Sequence, residues 1–236
     1  STIESAIIAL HTKHGVILYA NDYKFDNTPV FGDPPNYKRL KELSKIGVKA
    51  LIADCLYAQD DRKTPSEKIA KGLLEDVLFT TDNKKSGIII TTFSSHIARL
   101  KSITEFGRRL NREVIFLGRS LNKYVSAATV INKAPFRSSI HLCAYRKQID
   151  RVLKRVNKNK ERYMIVCTGH QGEPGSILDR ISRHEINYNL SERDNIIFSS
   201  KTIPTPVNEL NRSQMEKRLK KNKVRIFDNI HVSGHG

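Results

Sequence analysis

The sequence contains no tryptophan, three cysteines and two methionines among 236 residues, and far fewer acidic than basic side chains. Each shortage excludes something. Cys55, Cys143 and Cys167 stand far apart without a C-x-x-C pair, which argues against a disulfide framework or zinc ribbon and for a reducing compartment. No apolar run approaches the ~18–20 residues needed to cross a bilayer. The opening "STIESAIIAL" has neither a basic leader nor an initiator Met. The expected location is therefore the cytoplasm, away from membranes, and the start need not be the natural one. No G-x-x-x-x-G-K-S/T or G-x-G-x-x-G loop occurs, which disfavours a nucleotide ligand. Against 41 Lys and Arg stand 24 Asp and Glu, a net charge of +17. Such a surface attracts polyanions, of which nucleic acid is the commonest inside a cell.

What is present reads as a folded α/β chain. "AIIAL" and "GVILYA", joined by "HTKHG", form a hairpin pattern, and "NDYKFDNTPVFGDPPNY" is a turn-rich loop. "YKRLKELSKIG" places Leu40, Leu43 and Ile46 on one helix side with Gly47 as a stop. "VKALIAD" then reads as a buried strand ending on Asp54. "TPSEKIAKGLLEDVL" opens with Thr64, Pro65 and Glu67, a capping-box start with proline at the first helical position, followed by Ile69, Leu73 and Val77 at helical spacing. From there one unit recurs: "SGIIITTF", "EVIFLGRS", "RYMIVCTG" and "NIIFSS" are apolar strands that alternate with helices, and "VRIF" closes the series. Continuously apolar strands alternating with helices predict a parallel sheet covered on both faces. In "RKQIDRVLKRVNKNK", Ile149, Val152, Leu153 and Val156 face inward and the outer face is densely basic.

In such a sheet, ligands bind beyond the carboxyl ends of the strands. Those ends read "TTFSSH", "GRS", "TGHQGEPGS" and "SSKTIPTP". Singly they are ordinary caps and turns; together, on a basic chain, they point to phosphate held at helix N-termini. Asp22 and Asp26 follow the strand "GVILYA", and Asp54 ends another. Alone, each is an ordinary turn carboxylate, although a strand-end carboxylate can also bridge two metal ions. His235, in "HVSGHG", sits on a Gly-flexed loop where an imidazole can meet a phosphoryl oxygen.

In this order the segments resemble the β-CASP branch of the metallo-β-lactamase nucleases, most closely ribonuclease J in its shorter archaeal form, over essentially the whole chain. "YANDYKFD" is similar to the family's fourth metal motif, which would make Asp22 a ligand bridging two zinc ions. "LIADCLYA" resembles the first β-CASP motif, with Asp54 as its acid orienting neighbouring histidines. "HVSGHG" resembles the second, with His235 addressing the scissile phosphate and His231 a structural strand-end histidine. The resemblance implies that Ser94, Ser95, Arg99, Arg119 and Ser120 grip the RNA backbone, and that Ser233 and Gly234 help recognise a 5′-terminal phosphate.

The resemblance further implies two zinc ions, with manganese an alternative, and a 5′–3′ exonuclease acting on single-stranded, 5′-monophosphorylated RNA. An endonuclease of the messenger-RNA cleavage type and a non-catalytic RNA-binding module are the alternatives. The fold implied is part of a metallo-β-lactamase αββα domain, residues 1–56, then a β-CASP domain with a mainly parallel sheet flanked by helices, residues 57–208. Residues 209–236 would be the return segment. The chain departs from the family in lacking its H-x-H-x-D-H cluster, and the remaining ligand histidines would fall outside "STIESAII" and "HVSGHG". Of the dinuclear site only Asp22 matches, so the chain by itself is expected to be inactive. A homodimer partner or segments supplied in trans could complete it.

Overall fold

The computed structural model describes residue 3 and residues 5–234. Strand β1 (Ile8–Thr12) turns back into β2 (Gly15–Ala20) as an antiparallel hairpin. The loop that follows leads to helix α1 (Tyr37–Ile46), capped at its start by the Asn36 side chain accepting from the Arg39 amide at 3.0 Å and closed at Gly47. Strand β3 (Val48–Ala53) then joins β2 in parallel, completing a three-stranded sheet in the order β1-β2-β3. The expectation that β3 is buried fails, because all six of its residues are exposed. An apolar run signals burial only where another layer covers it, and among the described residues no layer lies over Leu51 or Ile52.

Helix α2 (Glu67–Thr80) is capped by Ser66, whose hydroxyl accepts from the Lys68 amide at 3.1 Å. Thr64 and Pro65 therefore precede the helix instead of opening it. Its buried side is Ala70, Leu74 and Leu78, while Ile69 and Leu73 are exposed. Both series have helical spacing; the packing decides, because Leu74 and Leu78 meet a cluster with Leu100, Ile103 and Phe106.

The repeated units follow as read from the sequence. Strands β4 (Ile88–Thr91) and β5 (Glu113–Leu117) lead into helices α3 (Ile97–Arg109) and α4 (Arg119–Val130). Strand β6 (Ile140–Cys143), too short and too exposed to stand out in the sequence, leads into α5 (Arg146–Val156). After it come β7 (Tyr163–Cys167), α6 (Ile177–Ser182), β8 (Asn195–Phe198), α7 (Pro206–Lys221) and β9 (Arg225–Phe227). These six strands form one all-parallel sheet in the order β6-β5-β7-β4-β8-β9. The expected boundary between residues 208 and 209 falls inside α7, whose Met215 and Leu219 pack into the sheet's core, and β9 is that sheet's edge strand.

Alternate strand residues serve opposite faces. Ile88, Ile90, Val114 and Phe116 pack with α2, α3 and α4; Ile89, Ile115, Leu117 and Ile165 pack with α5, α6 and α7. Each such side chain contributes about 1.5–3 kcal/mol by leaving water. The two sheets therefore differ in how firmly they resist substitution. Phe116→Ala is expected to cost about 3–5 kcal/mol in urea unfolding, whereas Ile52→Ala should change stability by under ~1 kcal/mol. A comparable loss at both positions would show that β3 is covered in solution.

Candidate functional site

Because the six strands are parallel, the loops leaving their carboxyl ends gather on one edge. Ser94 and Ser95 form the turn after β4, both half-buried. They precede α3, whose cap residue His96 makes no side-chain capping bond. Arg119 and Ser120 are exposed as the first two residues of α4, behind Gly118 at φ 118°. Uncapped N–H groups beside an exposed guanidinium suit an anion.

Arg99 requires a correction. It is fully buried (0% exposed), so it cannot grip an RNA backbone. Its Nε donates to Glu67 Oε1 at 2.5 Å and its Nη2 to Oε2 at 2.8 Å. Its Nη1 donates to the Ser199 carbonyl at 2.5 Å, the Ser199 hydroxyl at 2.7 Å and the Ile230 carbonyl at 3.4 Å. The Glu67 amide in turn donates to Asp26 Oδ2 at 2.8 Å. One guanidinium thus ties α2, α3, the end of β8 and the 230–231 segment together, and Glu67 extends the tie to the loop after β2. The sequence concealed this, since an acid at a helix start reads as a cap.

A second arginine organises the neighbouring loop. Arg212 of α7 donates to the His170 carbonyl at 2.7 Å and to Glu216 at 2.7 Å, pairs with Asp228, and lies 3.2 Å from the Phe198 ring centroid. Gly172, at φ +75°, passes so close that a Cβ would meet the Arg212 amide nitrogen at 2.4 Å. Gln171 holds the loop from within, accepting from the Ile203 amide at 2.7 Å. "TGHQGEP" marked this loop in the sequence, but neither Arg212 nor the burial of His170 was legible.

Three histidines line the same edge: His96, His170 and His231. His170 is 2% exposed, meets Phe93 edge-on at 4.0 Å, and both its ring nitrogens are buried with no hydrogen-bond partner among the described residues. Burial, followed by the positive Arg212, pushes its pKa down to about 4. Burial and then Arg99 push His231 down to about 4 as well, and the same two causes hold His96 well below the ordinary range. All three rings are neutral at pH 7. An arriving phosphate would meet the partly covered His96 and His231 as imidazoles able to donate or accept without carrying charge, whereas the His170 nitrogens are covered.

Lys24 Nζ donates to the Ser233 carbonyl at 2.8 Å, drawing the half-buried Ser233 and Gly234 onto the loop after β2. His235 lies outside the described residues. Asp22 and Asp54 follow parallel neighbours β2 and β3 and so share one end of the small sheet, where the Asp54 amide donates to the Ala20 carbonyl at 3.2 Å. Among the described residues, no three His, Cys, Asp or Glu side chains are grouped to hold a metal. Two carboxylates fall short of the about four ligands a zinc ion takes. The described residues do not fit a two-ion centre.

Residues 85–216 match the family model for the ribonuclease J β-CASP domain. The chain is 44% identical to ribonuclease J of Pyrococcus abyssi over 232 residues, 98% of this chain and 51% of that protein. With ribonuclease J of Methanocaldococcus jannaschii it shares 42% over 233 residues, 98% of this chain and 52% of the other. With that of Helicobacter pylori strain J99 it shares 33% over 242 residues, the full chain and 33% of the relative. The chain thus spans about half the length of its archaeal relatives and a third of the bacterial one. Among the described residues no helix is long and apolar enough to cross a membrane.

The histidine pKa values fix a pH dependence. Folding keeps protons off these rings, so the unfolded chain binds more protons between about pH 4 and 6.5, and stability rises with pH across that window. For His170 the gap corresponds to roughly 3 kcal/mol. Urea midpoints should fall from pH 7 to pH 4.5, and less steeply in His170→Phe; parallel profiles would contradict the burial of His170. For Arg99→Met the expectation is a loss of about 3–5 kcal/mol, partly returned by Glu67→Gln in the same chain. A stable Arg99→Met protein with weakened RNA binding would instead place Arg99 among the residues that grip RNA.

Proposed function

The chain belongs to the ribonuclease J β-CASP family, and on that premise we propose that it is the RNA-gripping part of a metal-dependent ribonuclease. The reading is of a 5′–3′ exonuclease that hydrolyses phosphodiesters of single-stranded, 5′-monophosphorylated RNA. The observation that carries it is the convergence of loops bearing Ser, His and uncapped helix N-termini on one edge of a parallel sheet, in a chain of net charge +17. The relatives' shared name, ribonuclease J, supports RNA as the polyanion.

In this reading, Ser94, Ser95, Arg119 and Ser120 hold the sugar–phosphate backbone, because hydroxyls and a guanidinium are donors matched to phosphate oxygens. Ser233 and Gly234 receive the 5′-phosphate, and His235 faces the phosphate to be cleaved. His231, half-buried and neutral, can donate to the RNA at this edge, while the buried His170 packs the loop behind it. Residues 1–56 belong to a metallo-β-lactamase core in which Asp22 is a ligand to zinc or manganese and Asp54 supports the ligands around it. Homodimerisation is one way to complete such a centre.

The test is a zinc titration with 5′-monophosphorylated RNA on two proteins. One is this chain; the other carries it between segments that supply the family's H-x-H-x-D-H cluster and C-terminal ligand histidine. The chain alone is expected to bind RNA with affinity that falls steeply with salt, and the longer protein to release mononucleotides only with the metal. Internal fragments in place of mononucleotides would make it an endonuclease. Binding without cleavage in the longer protein would leave a binding module.

A further inference from the structure

We propose that α5 carries a second RNA-binding surface, a track on which single-stranded RNA lies outside the strand-end loops. Helix α5 follows β6 and precedes β7, which are parallel strands of one sheet, so it runs from the carboxyl edge back toward the amino edge. One end of the track is therefore at the edge where the site loops gather.

The helix divides cleanly. Ile149, Val152, Leu153 and Val156 are buried against the sheet, while Lys147, Arg151, Lys154 and Arg155 point to solvent. Lys147, Arg151 and Arg155 follow one another at intervals of four residues, about 6 Å along the axis, so each can meet a different phosphate. The charge is also unspent. On the opposite face of the sheet, Lys71 and Lys101 both pair with Glu105, at 2.7 and 2.6 Å, and Arg109 pairs with Glu75. On α5 the one acid, Asp150, faces Arg146 at 3.8 Å, and among the described residues no carboxylate pairs with the four outward cations. A face kept cationic by the absence of partners is matched to an external polyanion.

Two further features favour single-stranded RNA over an acidic protein. Tyr145, directly before the helix, is 64% exposed. Gln148 Oε1 accepts from the Ala144 and Tyr145 amides at 3.0 and 3.3 Å, which fixes the backbone that presents the ring. An exposed aromatic at the head of a cationic stripe is a stacking platform for a base. Beside the stripe, a groove of about 460 Å³ is bordered by Arg146, Lys154, Asn187 and Asn189 together with the carboxylates of Asp150 and Glu185, which face Arg146 and Arg180 at 3.8 Å each. Its wall is held by Asn157, which donates to the Asn187 carbonyl and accepts from the Asn189 amide, both at 2.9 Å. Amide side chains there can meet base edges or a 2′-hydroxyl as donor or acceptor.

The experiment compares the chain with a variant carrying Lys147→Gln, Arg151→Gln, Lys154→Gln and Arg155→Gln, and with Tyr145→Ala. All five side chains are exposed, so circular dichroism and melting should be unchanged. Fluorescence anisotropy is read with a 24-nucleotide unstructured RNA and a 5′-monophosphorylated tetranucleotide over a range of KCl. For the long RNA the fourfold variant should bind at least tenfold more weakly, with the slope of log K against log salt reduced by about three. Tyr145→Ala should weaken binding severalfold without changing that slope. The tetranucleotide, seated at the strand ends, should bind all three proteins alike, which separates a failure of the track from a failure of the site. An unchanged affinity and slope for the long RNA would overturn the proposal. So would a polyglutamate competitor as effective as RNA combined with no effect of Tyr145→Ala, which would make the surface a docking face for acidic protein.

Discussion

The ion pair between Arg99 and Glu67 is the constraint on which the rest of the molecule depends. Taking a guanidinium and a carboxylate out of water costs several kcal/mol per ion, and their attraction offsets this only when the remaining donors are also satisfied. Here they are: two nitrogens engage Glu67, and the third reaches Ser199 and the Ile230 carbonyl. The satisfied pair fixes the distance between α2 and α3, the end of β8, and the segment that enters "HVSGHG". Since the Glu67 amide binds Asp26 and Lys24 binds the Ser233 carbonyl, the loop after β2 is held to the same point. The three-stranded sheet is thereby attached to the large sheet through polar contacts beside the site.

Arg212 repeats the device one strand away, and between the two arginines lie the histidines. Burial first, and then repulsion from the two buried cations, keep His96, His170 and His231 neutral where solvent-facing histidines would begin to titrate near pH 6.5. The edge is thus rigid and positive in potential yet leaves its imidazoles uncharged. Such an arrangement favours an incoming anion by preorganised donors and avoids the cost of rearranging mobile side chains around it.

The large sheet was legible because its signals are local. Apolar strands of four to five residues, followed by helices with a single inward stripe, admit one architecture, and Ile149, Val152, Leu153 and Val156 are buried as their spacing required. Which loops would gather followed from the parallel order alone. Burial that depends on a distant layer was not legible. "VKALIAD" has the composition of a covered strand and is bare, and α2 offered two equally periodic faces of which packing chose Leu74 and Leu78. Arg99 failed for the same reason: an arginine near a phosphate-type loop reads as a ligand until its partner, 32 residues away in sequence, is seen to occupy it.

That failure sharpens how the basic charge should be divided. A guanidinium whose nitrogens are all engaged inside the protein sets geometry, and its charge acts on the site only as a field. A cation that lacks a carboxylate neighbour is free to displace counterions from a nucleic acid, which is where salt-dependent affinity arises. Arg99 and Arg212 belong to the first kind; Lys147, Arg151, Lys154 and Arg155 belong to the second. Net charge alone cannot distinguish the two populations, but burial and pairing can. The distinction separates the part of the surface that attracts a polyanion from the part that fixes its position once it arrives.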